Sequence, residues 1–245
     1  MGTTSEAGAR PDLAARVRAV RQRVAAAAER AGRAPEEVAI IAVSKTVDAE
    51  RVRVAYELGL KTFGENRVQE ARSKIAALKL PLIRWELIGH LQTNKVARAA
   101  ALFARVQSVD SLRLALALEE AAARLGRVLP VLLEVNVAGE ASKQGLALAD
   151  VAPVARAVVA LPHLRVEGLM TVAPLASDPE AVRPVFRALS ELRARLRDAV
   201  PGASWEHLSM GMTDDFAVAI AEGATLVRIG RALFGERPPA GGVVV

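Results

Sequence analysis

Eight short apolar runs, separated by segments of helical composition, limit what this chain can fold into more than any other feature. The runs fall at 38–43, 61–64, 84–88, 105–109, 130–136, 165–170, 205–209 and 225–229. The segments between them, 48–59, 67–79, 92–103, 111–125, 146–160, 178–199 and 213–222, are mostly long enough for a crossover helix. Strand-helix alternation implies parallel strands, and eight such units in 245 residues match the size of a closed (β/α)8 TIM barrel. An open doubly wound sheet is the runner-up. Against it, the first strand-to-helix turn, Val43-Ser-Lys-Thr-Val47, has no glycine, and no GxGxxG pattern follows another strand. Leu13, Val17, Val20 and Val24 share one helical face, so an additional N-terminal helix is expected to about Ala31. We therefore expect a single α/β domain over 11–236, with a flexible tail at 1–10 and another at 237–245 around Pro238-Pro-Ala-Gly-Gly242.

Hydrophobic residues make up 52% of the chain, enough for a sizeable core, but aromatics make up only 3%, so that core must be built from Ala, Val, Leu and Ile. The absence of cysteine removes disulfides, thiolate nucleophiles and cysteine-based zinc sites, and points to the cytoplasm. Three dispersed histidines argue against a transition-metal site. No segment reads as a signal peptide or as the run of about 20 apolar residues needed to span a bilayer, so a soluble protein without membrane partners is expected. The net charge of +6 favours acidic ligands, yet Lys and Arg are mixed with Asp and Glu along the helices, and one Tyr and two Trp offer little for base stacking. Arg193-Ala-Arg-Leu-Arg197 reads as a solvated helix face, and no nucleic-acid partner is expected.

The chemistry is concentrated where strands end. Lys45 follows the run Val38–Val43; partial burial there would lower the pKa of its amine and allow a Schiff base with an aldehyde or ketone. A lysine at a strand exit is most commonly a surface residue, but polar clusters stand at comparable positions: Gly64-Glu65-Asn66, Gly89-His90, Glu134-Val-Asn136, Ser209-Met-Gly-Met-Thr213 and Arg228-Ile-Gly230. In a barrel these converge on one face. Ser209-Met-Gly-Met-Thr213 precedes a helical segment and reads either as an ordinary cap or as an anion cradle, with Gly211 permitting close backbone approach and Ser209 and Thr213 offering hydroxyls. A carbonyl-reactive lysine and a phosphate cradle on one face suggest pyridoxal 5′-phosphate, which carries both an aldehyde and a phosphate. A Schiff-base aldolase is the rival, although its lysine would be expected on a later strand with carboxylates nearby.

The motifs together resemble the pyridoxal phosphate homeostasis protein family, whose fold is similar to the barrel of alanine racemase. The resemblance rests on Ala42-Val-Ser-Lys-Thr46, Phe63-Gly-Glu-Asn-Arg-Val-Gln-Glu70, Trp85-Glu-Leu-Ile-Gly-His-Leu-Gln-Thr-Asn-Lys95, Glu134-Val-Asn136, Ser142-Lys-Gln-Gly145, Gly168-Leu-Met-Thr171, Leu208-Ser-Met-Gly-Met-Thr-Asp-Asp215, Arg228-Ile-Gly230 and Phe234-Gly235. It implies that Lys45 is the aldimine lysine, that Ser209, Gly211, Thr213 and Gly230 surround the phosphate, and that Arg228 lies near the ring or phosphate. Asn66, His90, Asn136 and Met170 would line the cofactor. Two departures are visible: Arg67 stands where the family often has Tyr, and Thr213 where Ser is frequent.

The resemblance further implies a cytoplasmic, monomeric protein that stores or delivers the cofactor, with apo enzymes as recipients and no efficient catalysis of its own. The alternative is a minimal amino-acid racemase. A full alanine racemase carries a second, β-rich domain that supplies a tyrosine base, whereas the one tyrosine here, Tyr56, falls in the first crossover helix. An arginine at the pyridine nitrogen would keep that nitrogen unprotonated and make the cofactor a poorer electron sink. His163 is expected at the surface and His207 in a structural role. Asp214 and Asp215 are expected as helix-start carboxylates, and Lys143 as a surface lysine.

Overall fold

All eight expected strands form. The computed structural model describes residues 6–140 and 143–236. In it β1 (Ala39–Val43), β2 (Thr62–Glu65), β3 (Arg84–Leu87), β4 (Arg105–Val109), β5 (Leu129–Glu134), β6 (Leu164–Met170), β7 (His207–Ser209) and β8 (Leu226–Ile229) run parallel in chain order. The barrel closes through β8 on β1, with Ile41 opposite Arg228. The helices are α1 (Glu6–Arg30), α2 (Ala49–Glu57), α3 (Val68–Leu78), α4 (Val96–Leu102), α5 (Leu112–Arg124), α6 (Val151–Val159), α7 (Arg183–Ala199), α8 (Phe216–Ala221) and α9 (Arg231–Phe234). Helix α1 begins at Glu6, within the segment 1–10 expected to be a tail; residues 1–5 and the tail expected at 237–245 lie outside the described residues. Helix α8 is shorter than the expected 213–222 because the residues before it form a loop, and the four-residue α9 was not anticipated. No helix among the described residues is long and apolar enough to cross a membrane.

Short polar side chains set the starts of α2 and α5. The Asp48 carboxylate accepts the Arg51 N–H at 2.8 Å, and Ser111 Oγ accepts the Leu114 N–H at 3.3 Å, each satisfying a donor that the first turn leaves orphaned. Helix α1 buries Leu13, Val17, Val20, Val24, Ala27 and Ala28 against α2, α8 and α9, at the three-and-four spacing of one helix face.

Strand residues alternate between the helix layer and the lumen. Ile41, Leu132, Met170 and Leu226 form a small apolar cluster of their own, separate from the large core between sheet and helices. Around it the lumen is polar, holding Glu86, Arg105, Gln107, Ser209 and Arg228, all buried. Between β5 and β6 the register passes from Val131↔Val166 to Leu132↔Gly168 and so skips Glu167, whose carboxylate meets Arg105 at 2.8 Å. Gly168 is dictated by contact: a Cβ there would lie 1.9 Å from the His207 carbonyl oxygen.

Candidate functional site

Lys45 lies just past β1, and four charged or hydroxyl side chains fix the turn that carries it. Ser44, fully buried, donates its hydroxyl to Glu65 Oε1 at 2.6 Å. Lys74 of α3 reaches the same oxygen at 2.7 Å and also donates to the Ser44 carbonyl. Glu70, one helical turn earlier, accepts from Lys74 at 2.8 Å and from the Thr46 N–H. The backbone on both sides of Lys45 is thus held from α3. Thr46 sits at φ +64°, a left-handed conformation that costs a β-branched residue of order 1–3 kcal/mol and persists only where the surroundings impose it. Burial pushes the Glu65 carboxyl above its ordinary range, and its bonds from Lys74 and Ser44 oppose that rise. Lys45 itself is half-buried.

Across the barrel seam, β7 opens into the loop 210–215. Gly211 has φ +89°, and a Cβ there would stand 2.6 Å from Ala219 Cβ and 2.9 Å from Phe216 Cα, so only glycine lets the loop lie this close to α8. The loop is closed by Asp215, whose carboxylate accepts the Met212 N–H at 2.6 Å. Thr213 Oγ1 accepts the Ala232 N–H at 3.4 Å and joins the loop to α9. Gly230 precedes α9 and lies against Val43 at the end of β1. Arg51 Nη2 donates to the Phe234 carbonyl at 2.9 Å, fastening α2 to α9.

Between these elements lies a cavity of about 500 Å³ lined by Lys45, Thr46, Arg51, Gly230 and Arg231, within the size range of small-molecule sites. Beneath the mouth, Arg228 is buried; it donates to Ser209 Oγ and to the Thr171 carbonyl, each at 2.7 Å. Burial lowers its pKa to about 10, while Glu134 and Asp215 act in the opposite direction. The Glu134 carboxyl rises to about 7 through burial and the nearby Asp110, with Arg228 pulling it down.

The expected site residues occupy three zones. Lys45 and Gly230 share the cavity, with Gly211 and Thr213 in the adjoining loop and Ser209 and Arg228 bonded to each other in the lumen. On the other side of the mouth, Asn66 packs against Gly89, whose Cβ would lie 2.6 Å from the Asn66 carbonyl oxygen. The neighbouring His90 is exposed, and its Nδ1 meets Asp110 at 3.0 Å. Asn136 donates its amide to the Glu140 carbonyl at 2.8 Å, and its buried Oδ1 has no partner among the described residues. Met170 belongs to the apolar lumen cluster. His163 bonds Glu119 at 2.7 Å, and His207 lies half-buried 3.1 Å from Arg105. Lys143 pairs with Glu140 at 2.8 Å.

Sequence reasoning did not find Glu65, Glu70 and Lys74 as the supports of Lys45, nor Gln107 and Thr171 beside the Ser209–Arg228 pair. The signal available was the Gly-Glu-Asn motif, whose glutamate has a buried lysine as partner one helix later. Chemically, the site offers an amine at a held position, a glycine-lined approach to two short helices and a buried cation. That donor set suits a small anion carrying a reactive carbonyl.

The family described as alanine racemase, N-terminal domain, matches residues 16–238. The pyridoxal phosphate homeostasis protein of Aquifex aeolicus is 45% identical over 222 residues, covering 91% of this chain and 97% of its own. The structure of PipY from Synechococcus elongatus without PLP has a TM-score of 0.83 at 37% identity, covering 91% of this chain and all of that one; the form with PLP bound gives 0.82. Alanine racemase from Corynebacterium glutamicum shares the fold, with a TM-score of 0.70 at 20% identity, over 63% of its length.

Proposed function

The chain belongs to the pyridoxal phosphate homeostasis protein family, built on the alanine racemase N-terminal domain, and from that premise we propose that it binds pyridoxal 5′-phosphate and serves vitamin B6 homeostasis by holding and releasing it. One observation carries the reading: Lys45 and Gly230, from opposite ends of the barrel sequence, line the same cavity. The residues present fit the cofactor. Gly211 lets the loop 210–215 lie close against α8, Arg228 supplies buried positive charge, and Asn136 Oδ1 is a buried acceptor with no partner among the described residues.

When bound, the cofactor supplies an aldehyde open to attack by an amine and a ring that withdraws electrons. Lys45 presents its amine to the aldehyde carbon, and the α3 carboxylates and Lys74 keep the lysine turn in place. Thr213, Gly230 and the start of α9 would hold the phosphate, with Gly211 shaping the loop. Arg228, held by Ser209, would stand near the ring or phosphate, and Ser209 would act through it. Asn66, His90, Asn136 and Met170 line the remainder. Tyr56, the one tyrosine of the chain, lies with its ring 3.5 Å from Lys61 Nζ and is absent from the cavity lining, which supports a holding rather than a racemising role. We infer further that the protein works as a cytoplasmic monomer and that apo enzymes using the same cofactor are its recipients.

Pyridoxal phosphate added to wild type and to Lys45→Ala, with visible absorption and alanine racemisation followed in the same samples, tests the reading. The expected outcome is an absorption band present in wild type, lost in the variant, and unaccompanied by turnover. Equal spectra in both proteins would sink the assignment of Lys45, and turnover dependent on Lys45 would make the protein an enzyme.

A further inference from the structure

We propose that Gln107, on the far wall of the lumen, is a positioning residue that sets the orientation of Arg228 through Ser209; the proposal rests on the cofactor reading above. A single file of hydrogen bonds crosses the barrel. Arg228 Nη1 donates to Ser209 Oγ at 2.7 Å, Ser209 Oγ donates to Gln107 Oε1 at 2.6 Å, and Gln107 Nε2 donates to Glu86 Oε2 at 2.6 Å. All four side chains are buried, Ser209 and Gln107 completely.

The direction of the file follows from its members. A guanidinium has donors and no acceptor, so Ser209 must receive from Arg228. The serine then has one proton, and it goes to the amide oxygen of Gln107. That leaves the Gln107 NH2 group to face Glu86, an acceptor held in turn by Arg105 at 3.5 Å. With Nη2 fixed on the Thr171 carbonyl, two nitrogens of Arg228 are committed and the plane of the guanidinium is set. Gln107 does not line the cavity. On the cofactor reading a change there reaches the ligand through Ser209 and Arg228, which likewise lie beneath the cavity rather than in its lining. Without the Gln107 oxygen, the Ser209 hydroxyl can turn its proton elsewhere, and Arg228 loses a fixed acceptor.

Gln107→Leu keeps the bulk and removes the acceptor. Pyridoxal phosphate should bind about tenfold more weakly to it, as expected for losing one charge-assisted hydrogen bond. Its absorption maximum should move in the same direction as in Arg228→Lys, and a Gln107→Leu/Ser209→Ala pair should be non-additive. A destabilising substitution in the helix layer, Phe186→Leu, should leave affinity and spectrum unchanged. In the cofactor-free protein, the guanidinium nitrogen resonances of Arg228 should show faster rotation in Gln107→Leu than in wild type. Wild-type affinity, spectrum and Arg228 rotation in a folded Gln107→Leu would overturn the proposal. Where Gln107→Leu does not fold, Gln107→Glu decides. It keeps the accepting oxygen but faces Glu86, so its affinity should approach wild type at low pH and fall away as pH rises, whereas a pH profile parallel to wild type counts against the file. A wild type lacking a Lys45-dependent band defeats the cofactor reading alone, because the Arg228 resonances are read without cofactor.

Discussion

Two arginines lie buried in the barrel lumen, and the fold treats them in opposite ways. Arg105, at the start of β4, meets two carboxylates, Glu167 at 2.8 Å and Glu86 at 3.5 Å. Arg228, near the end of β8, is bonded to two neutral oxygens, Ser209 Oγ and the Thr171 carbonyl. The first cation is neutralised within the protein and holds the N-terminal end of the barrel together. On the proposed reading the second keeps its charge for an anion arriving from the mouth; burial lowers its pKa, and Glu134 and Asp215 act in the opposite direction. The division matches the general separation of barrels into a stabilising face and a binding face.

The largest expected effect sets the two arginines directly against each other. Arg105→Met removes the buried cation shared by Glu86 and Glu167, leaving them only Gln107 and Arg165, and should lower stability by about 3–5 kcal/mol, whereas Arg228→Met should cost the cofactor-free protein about 1 kcal/mol or less while abolishing tight cofactor binding. Urea melts of both variants without cofactor check this, and equal losses would break the contrast. A smaller effect concerns the carboxyl that faces Arg228. Glu134 has a folded pKa of about 7 against an ordinary value of 4.5, so folding favours its protonated form; that contribution is complete below about pH 4.5 and is lost as pH rises to about 7. Glu134→Gln should therefore gain on wild type above neutrality, by at most about 3 kcal/mol, and show a flatter stability curve across that window. Parallel curves for the two proteins would mean that Glu134 is fully charged and already neutralises Arg228. The smallest effect belongs to the lysine turn. Thr46→Gly relieves the left-handed backbone and should raise the melting temperature by the equivalent of about 1 kcal/mol or less, the gain being offset in part by the flexibility of glycine when unfolded. A lower melting temperature would show that the Glu70 bond and the Thr46 side chain outweigh the strain.

The barrel was legible because its strands are written as runs of Val, Ile, Leu and Ala broken by helical segments, and a parallel alternation of that length admits few closures. The helix α9 was not, since four residues from Arg231 leave no periodicity to read. At the site, Lys45, Gly211 and Gly230 stood out because an amine at a strand exit and glycines beside a helix start are unusual locally. Their supports did not. Glu70 and Lys74 look like an exposed ion pair at helical spacing, and only the approach of α3 to β1 makes them a clamp. Gln107 and Glu86 sit inside strands that read as apolar, and they meet only because closure turns β3, β4, β7 and β8 towards one lumen. Pairings of that kind are a property of register, which neighbouring residues along the chain do not encode.

Helix α1 rests on α8 and α9, and β1 pairs with β8. The apolar face formed by Leu13, Val17, Val20 and Val24 is therefore covered in part by near neighbours, α2 and the turn at 35–37, and is completed only by elements far along the chain at 216–234. Closing the barrel is thus a contact of long sequence separation, and a chain that has not yet made it leaves the apolar face of α1 only partly covered.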